Sequence, residues 1–102
     1  MKIAIYGQYY HNNTQSSIDT LLNFLASKNV SVYIENDFFN MVKNKSSISI
    51  TNTPFKTFKT LDNTYDLLIS IGGDGTILRA ITHVRDLSIP IVGIKPITIP
   101  IL

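Results

Sequence analysis

Apolar residues along the chain fall into short runs with two different spacings, which indicates that strands alternate with helices. Continuous or every-second-residue apolar runs are typical of strands, whereas apolar residues three or four positions apart are typical of helices. The strand-like runs are residues 2–7, 30–36, 65–71 and 89–94, and the helix-like stretches are residues 16–28, 37–45 and 76–84. The pattern therefore predicts three strand–helix pairs followed by a further strand.

Polar and helix-breaking residues mark the ends of these helices. Thr14 or Ser16 is the expected N-cap of the first helix, and Asp37 lies near the start of the second. The third helix is expected to end before Pro90. Residues 46–60 mix Ser, Thr, Asn and Pro with isolated apolar side chains, so we predict a long loop there, with room for one short strand or helical turn.

The alternation predicts an α/β fold, in which a parallel sheet of about four strands carries helices on both faces. The run at 65–71 is almost wholly apolar, which suits a central strand covered on both sides. Ligands of such sheets bind outside the carboxyl ends of the strands. Candidate chemistry is therefore expected where the run at 65–71 ends.

Composition narrows the classes of protein that fit. The chain has 102 residues, 44% of them hydrophobic and 16% charged, which suits one packed domain. A net charge of +2 from scattered residues provides no basic stripe for nucleic acid, and the absence of cysteine excludes disulfides and cysteine-based zinc sites. No apolar run approaches the roughly 18 residues of a membrane span or resembles a signal peptide, so we expect a cytoplasmic protein with no membrane partner.

The predicted central strand runs into a glycine-rich loop, GGDGT (Gly72–Thr76). Glycine has no Cβ, so its backbone N–H groups can approach a phosphate or ribose, and a helix that begins at Thr76 or Ile77 adds the positive end of its dipole. Two well-known phosphate motifs do not fit. The lysine of a P-loop is missing after Gly75, and Leu78 stands where a dinucleotide fingerprint needs its third glycine. The loop nevertheless suits an anion.

Asp74 requires a role of its own, because a carboxylate among phosphate-binding N–H groups repels the ligand that they attract. It could accept a proton from an attacking hydroxyl as a general base. It could instead hold Mg²⁺ that bridges to phosphate oxygens, or cap the following helix. The residues alone leave all three roles open.

The stretch GGDGTILRA after an apolar strand, with KIAIYG at the amino terminus and IPIVGI further on, resembles the amino-terminal domain of the NAD kinases. The resemblance covers residues 1–94, and residues 71–80 are its most specific part. GGDGT is shared with diacylglycerol and sphingosine lipid kinases, and 6-phosphofructokinases have a close variant. The arginine three residues after Thr76 and the PIVGI strand favour the NAD kinases. The resemblance implies a phosphofructokinase-like nucleotide-binding α/β domain over residues 1–94.

The activity that this resemblance implies is ATP-dependent phosphorylation of the adenosine ribose 2'-hydroxyl of NAD, which gives NADP. Asp74 corresponds to the catalytic aspartate that receives the proton of that hydroxyl. Gly75 would lie beside it against the dinucleotide, and Arg79 would face the dinucleotide. The implied cofactor is Mg²⁺ or another divalent cation that accompanies ATP, with no separate metal site in the protein. The residues that would shape the phosphate loop are Gly72, Gly73 and Thr76.

The chain departs from the family pattern at its carboxyl end. NAD kinases continue after this strand with Asn-Thr-Gly and a Leu-Gly-Phe stretch, whereas residues 95–102 here read KPITIPIL. We expect residues 95–102 to be an atypical tail and the family's second, β-rich domain to be absent. The chain alone is then expected to be inactive or very weak. Exposed sheet edges lead us to expect a homo-oligomer.

Two other functions stay open, a diacylglycerol-type lipid kinase and a nucleotide-binding or interaction module without turnover. Tyr9, Tyr10 and His11 follow the first strand at the same sheet edge as GGDGT, where a solvated loop is the simpler interpretation. His83 lies four residues after Arg79 and could share its helix face. For His83 we expect a plain exposed histidine.

Overall fold

The computed structural model describes residues 1–8, 12–45 and 55–95, which form five strands and three helices. In chain order the elements are β1 (Lys2–Gly7), α1 (Asn12–Ala26), β2 (Ser31–Glu35), α2 (Asn36–Lys45), β3 (Lys56–Phe58), β4 (Leu67–Ile71), α3 (Asp74–Val84) and β5 (Ile91–Ile94).

The strands form one parallel sheet in the order β3-β2-β1-β4-β5. Helices α1 and α2 pack on one face of this sheet and α3 packs on the other. The α/β fold with helices on both faces is therefore confirmed. β1 and β4 lie side by side in the centre, and burial on both faces explains why KIAIYG and LLISI are almost wholly apolar.

The sheet contains five strands, whereas the sequence pattern predicted about four. The additional strand is β3, a three-residue segment in which Phe58 alone is buried. It pairs with β2 at the edge of the sheet, from Tyr33 opposite Lys56 to Glu35 opposite Phe58. A strand this short, with one buried side chain, has no periodicity for the sequence to reveal. Residues 46–54 of the predicted long loop lie outside the described residues.

The predicted starts of the first and third helices are wrong. α1 begins at Asn12, so Thr14 and Ser16 lie inside the helix. Its apolar stripe begins only at Ile18, which is why the polar first turn gave no helical signal. α3 begins at Asp74, two residues earlier than predicted. The predicted position of Asp37, in the first turn of α2, is confirmed.

Each face of the sheet has its own hydrophobic core. The larger core, beneath α1 and α2, contains Ile3, Ile5, Ile18, Leu22, Leu25, Val32, Ile34, Phe38, Val42, Ile69 and Ile71. The smaller core, beneath α3, contains Ala4, Tyr6, Phe58, Tyr65, Leu68, Ala80, Val84 and Ile89. Small residues allow α3 to lie close to the sheet: a Cβ on Gly93 would come within 2.7 Å of the Ile77 Cδ1 atom.

A polar cluster around Lys2 closes the amino-terminal end of the sheet. The Lys2 ammonium donates to the Thr64 hydroxyl at 2.5 Å and lies 4.2 Å from the centre of the Tyr65 ring. The backbone N–H of Lys2 donates to the Asp66 carboxylate at 2.7 Å. The hydroxyl and backbone N–H of Thr64 donate to Asp62, which holds the pKa of that carboxyl below its usual value. This cluster therefore has a structural role, at the end of the sheet opposite the GGDGT loop.

Within the described residues, no helix combines the length and apolar character needed to cross a membrane.

Candidate functional site

The GGDGT loop joins the carboxyl end of β4 to the first turn of α3. Gly72 follows the strand directly, is buried and has a φ of 147°, a conformation that side chains disfavour. Gly73 is the N-cap of α3, and Asp74 is the first residue of the helix. The predicted change from central strand to glycine loop to helix is therefore present, with the helix starting inside the loop.

This loop lies where the strand order of the sheet reverses. The chain proceeds outward from β1 to β2 and β3 on one side, and then from β4 to β5 on the other. Gln8 follows β1 and Gly72 follows β4 at the same edge, because Gly7 pairs with Ile71. Connections leave these two strands toward opposite faces, which opens a crevice between their carboxyl ends. Ligands of open α/β sheets bind in such crevices, so the GGDGT loop is where the topology favours a binding site.

Hydrogen bonds fix the loop to both neighbouring strands. The backbone N–H of Gly72 donates to the Ile94 carbonyl oxygen at 2.9 Å, which ties the loop to β5. The backbone N–H of Gln8 donates to the Ile71 carbonyl oxygen at 3.2 Å, which ties β1 to the end of β4. The Thr76 hydroxyl donates to the Gln8 side-chain carbonyl oxygen at 2.9 Å. The first turn of α3 is thus held in position across the crevice.

Five of the six predicted site residues divide into an inward and an outward group, and the sixth, Gly73, is half-buried. Gly72 and Thr76 are buried and hold the loop against the sheet. Asp74, Gly75 and Arg79 are exposed, and Arg79 lies one helical turn after Gly75 on the same face of α3. The carboxylate, the outer glycine and the guanidinium are therefore available to a ligand, whereas the inner residues determine the shape of the loop.

Asp74 does not cap the helix in the way considered from the sequence. The N-cap is Gly73, and no side chain makes a capping hydrogen bond there. The first N–H groups of any helix lack carbonyl partners within that helix, so the start of α3 presents donors beside the Asp74 carboxylate. This arrangement leaves the general-base and metal-binding roles of Asp74 open.

A second carboxylate at this edge of the sheet, Glu35, was missed by sequence reasoning. It is buried at the end of β2, where its two oxygens accept hydrogen bonds from the backbone N–H groups of Asp37 at 2.8 Å and Phe38 at 3.1 Å. Glu35 therefore caps α2, and both of its oxygens are engaged in that role. Glutamate is not a favoured N-cap residue, so the sequence carried little signal for this role.

His83 is not the plain exposed histidine that the sequence suggested. Its half-buried ring lies against Tyr6, with the ring centres 4.8 Å apart. His83 also lines a cavity of about 520 Å³ between the carboxyl-terminal end of α3 and residues 59–61, and no GGDGT residue lines this cavity. Tyr9, Tyr10 and His11 lie outside the described residues.

The loop offers one carboxylate that would fit a divalent cation whose other ligands come from a bound phosphate. Among the described residues, no three His, Asp or Glu side chains are grouped so that they could hold a metal ion. Asp74 is the carboxylate of the loop and is exposed. Magnesium in phosphoryl-transfer sites commonly binds one or two carboxylates and takes its other ligands from substrate phosphates and water. Asp74 can supply such a carboxylate.

Comparison with known proteins identifies the family. The chain matches the family described as ATP-NAD kinase N-terminal domain over residues 3–96. It belongs to the ATP-NAD kinase family. The NAD kinases of Christiangramia forsetii and Flavobacterium johnsoniae are each 48% identical to it over 95 residues, which cover 93% of this chain and 32% of either relative. The NAD kinase of Bacteroides fragilis is 32% identical over 95 residues, with the same coverage.

The fold of this ATP-NAD kinase domain is also found in a solved structure, that of yeast NADH kinase complexed with NADH. The TM-score is 0.70 at 19% sequence identity, and the match covers 95% of this chain and 31% of the yeast chain. The resemblance inferred from GGDGTILRA is thereby confirmed at the level of family and fold. The chain spans about a third of the length of the curated relatives named above.

Proposed function

We propose that this domain supplies the phosphoryl-transfer loop of an NAD kinase, which phosphorylates the adenosine ribose 2'-hydroxyl of NAD with ATP. The observation that carries the proposal is the position of the GGDGT loop. In a chain of the ATP-NAD kinase family, this loop lies at the crevice between β1 and β4 and presents an exposed Asp74. The curated relatives are named NAD kinases, whereas nothing observed favours a lipid substrate.

Asp74 is the general base in this proposal. The 2'-hydroxyl oxygen forms a bond to the γ-phosphorus of ATP while the bond from that phosphorus to the β,γ-bridging oxygen breaks. The proton of the hydroxyl passes to the Asp74 carboxylate, and ADP leaves with the bridging oxygen. An exposed carboxylate that is not engaged in capping suits this task, because a base must come within hydrogen-bond reach of the proton that it accepts.

The remaining residues of the loop bind and orient the substrates. Gly73 and Gly75 allow a substrate to approach the loop backbone closely. A Cβ at either position would meet no protein atom within 4 Å, so the space beside both glycines is open. The N–H groups at the start of α3 stabilise negative charge on a phosphate, and Arg79 offers a guanidinium from the same face as Gly75. Phosphoryl transfer depends mainly on such positioning and charge neutralisation. When bound with ATP, Mg²⁺ neutralises phosphate charge, and Asp74 would help to hold it.

The decisive experiment uses a chimera that joins residues 1–94 of this chain to the remaining part of the C. forsetii NAD kinase. The chimera and the 102-residue chain are assayed in parallel with ATP, Mg²⁺ and either NAD or NADH. Phosphorylation of NAD is followed with an NADP-specific dehydrogenase, and phosphorylation of NADH is followed by chromatography of the products. We expect turnover by the chimera and little or none by the chain alone, because this domain corresponds to about a third of its relatives.

Variants of the chimera assign the chemistry to Asp74. Asp74→Asn removes the base and is expected to lower kcat by about a hundredfold or more. The matched control is Asp86→Asn, which neutralises another exposed aspartate just beyond the end of α3 and should leave kcat unchanged. Equal losses in the two variants would exclude a specific role for Asp74. Phosphorylation of an acylglycerol in micelles, with none of NAD or NADH, would favour the lipid kinase instead.

A homo-oligomer and a cytoplasmic location stay predictions. Exposed apolar side chains on α3 and β5 support self-association, and they are Leu78, Ile81 and Val92. A light-scattering measurement that finds a monomer at high protein concentration would contradict the oligomer.

A further inference from the structure

The side chain of Gln8 reaches across the crevice to the glycine loop, although 68 residues separate it from its partner in the sequence. Its carbonyl oxygen accepts a hydrogen bond from the Thr76 hydroxyl at 2.9 Å. Thr76 is fully buried, whereas Gln8 is half-buried at the end of β1. The contact therefore joins the two strand ends between which the topology favours ligand binding.

Thr76 connects Gln8 to the backbone of the loop. Its side chain lies against Gly72, where a Cβ would come within 2.9 Å of the Thr76 Cβ. The backbone N–H of Thr76 donates to the Gly73 carbonyl oxygen at 3.0 Å. Asp74 and Gly75 lie between these contacts in the chain, and both are exposed. The orientation of Thr76 therefore determines where the exposed part of the loop lies.

We propose that Gln8 is a positioning residue, which acts through Thr76 to hold the GGDGT loop in the geometry that phosphoryl transfer requires. This inference rests on the proposed function. Gln8 holds the buried hydroxyl of Thr76 in one orientation, and Thr76 in turn fixes the first turn of α3. A displacement of the loop by a fraction of an ångström would move Asp74 relative to the attacking hydroxyl, and transfer rates are sensitive to such displacements.

The kinetic test compares Gln8→Leu with Gln8→Glu in the chimera. Gln8→Leu removes the acceptor, and we expect kcat to fall about tenfold while KM for NAD changes by less than about threefold. Gln8→Glu keeps an acceptor of the same length, so it should restore most of kcat. Its negative charge near the phosphate loop should raise KM for ATP. A role confined to stability would give neither the recovery of kcat nor this separation of kcat from KM.

A double-mutant cycle tests whether Gln8 acts through Thr76. Thr76→Val removes the hydroxyl at nearly constant volume, and we expect it to lower kcat about tenfold as well. If the two residues act as one unit, Gln8→Leu combined with Thr76→Val should remain close to a tenfold loss. Losses that multiply to about a hundredfold would overturn the proposal.

A third measurement does not depend on turnover. The chain contains five glycines, so the backbone amide signals of Gly72, Gly73 and Gly75 can be followed by NMR in the 102-residue chain. Gln8→Leu should shift these signals and Gln8→Glu should largely restore them. The control Val32→Ala, which opens a cavity in the core beneath α1 and α2, should leave them in place.

Failure of the proposed function and failure of the positioning role of Gln8 would give different results. An inactive chimera in which Gln8→Leu still shifts the loop amides would contradict the proposed function and leave the structural part of the inference supported. An active chimera whose loop amides and kcat do not respond to Gln8→Leu would overturn the positioning role while the proposed function stands.

Discussion

Gly72 and Thr76 are in van der Waals contact across the first turn of α3, so closely that the structure has no room for a side chain at position 72. A Cβ there would lie 2.9 Å from the Thr76 Cβ and closer still to the Thr76 hydroxyl oxygen. The φ of 147° at Gly72 also disfavours any residue with a side chain. Glycine is therefore required here by the backbone and by the neighbouring side chain together.

We predict that Gly72→Ala lowers the free energy of unfolding by about 2 kcal/mol or more, because it combines a disfavoured φ with a steric clash. The matched control is Gly75→Ala, which meets no atom within 4 Å and lies inside a helix. It should raise the stability by about 0.5 kcal/mol. Urea unfolding of the 102-residue chain measures both values. Equal stabilities of the two variants would contradict the requirement for glycine at position 72.

The Gly75→Ala variant also separates an effect on folding from an effect on activity. Gly75→Ala places a methyl group on the exposed side of the loop, where the proposed phosphate must approach. We expect the chimera that carries it to be stable and at least tenfold less active, with the loss in kcat/KM for ATP. An unchanged kcat/KM would indicate that Gly75 does not border the phosphate.

Sequence reasoning predicted the glycine loop and the central strand because both leave a local signal. An almost wholly apolar run followed by GGDGT identifies a strand, a turn and an anion-binding loop within a dozen residues. The Gln8–Thr76 hydrogen bond left no such signal, because it depends on β1 and β4 lying side by side. That neighbour relationship is a property of strand order, which the apolar pattern does not specify.

The errors at the helix starts have a related physical cause. α1 begins with a polar segment that contains no apolar residue before Ile18, so periodicity placed its start too late. α3 begins inside a glycine-rich sequence of poor helix propensity, and its start is fixed by contacts of Gly72 and Thr76 with neighbouring strands. Tertiary contacts therefore determine where α3 begins. Glu35 is a different case, because it caps α2 through hydrogen bonds only two and three residues along the chain. It was missed because glutamate is not a favoured N-cap residue.

Removal of the Glu35 cap should destabilise the domain measurably. Glu35→Ala leaves the backbone N–H groups of Asp37 and Phe38 without their acceptors, and we expect a loss of about 2 kcal/mol in unfolding free energy. Glu35→Gln keeps one acceptor oxygen and should cost about 1 kcal/mol. Asp37→Asn, an exposed first-turn control, should cost less than about 0.5 kcal/mol. If Glu35→Ala is no worse than Asp37→Asn, the cap is not stabilising.

Ser70 presents the opposite case, a buried polar atom without a partner. Its hydroxyl oxygen is fully buried on β4, and it has no hydrogen-bond partner among the described residues. Ser70→Ala removes this group, and we expect a gain of about 1 kcal/mol in unfolding free energy. Ser70→Val replaces the hydroxyl with two methyl groups between the sheet and α3 and should cost about 1–3 kcal/mol. A loss of stability in Ser70→Ala would indicate that a bound water or another group satisfies the hydroxyl.

Tyr65 is expected to make the stability of the domain depend on pH in the alkaline range. Burial, with smaller contributions from the charges of Asp62 and Tyr33, raises the pKa of Tyr65 to about 12 from an ordinary value of 10.0. Because the folded-state pKa is the higher one, the contribution is complete below pH 10. It is lost as the pH rises from 10 toward 12, where the unfolded chain releases the proton first. The expected loss is on the order of 2 kcal/mol.

Urea unfolding between pH 8 and 12 measures this loss, and the absorbance of tyrosinate reports the titration itself. Tyr65→Phe cannot ionise at this position, so its stability should fall less steeply over the same range. Lys2→Met serves as the second control, since the Lys2 ammonium lies over the Tyr65 ring. The alkaline loss should persist in Lys2→Met and shrink in Tyr65→Phe. An alkaline loss that shrinks in Lys2→Met and persists in Tyr65→Phe would contradict the assignment of the pH dependence to Tyr65.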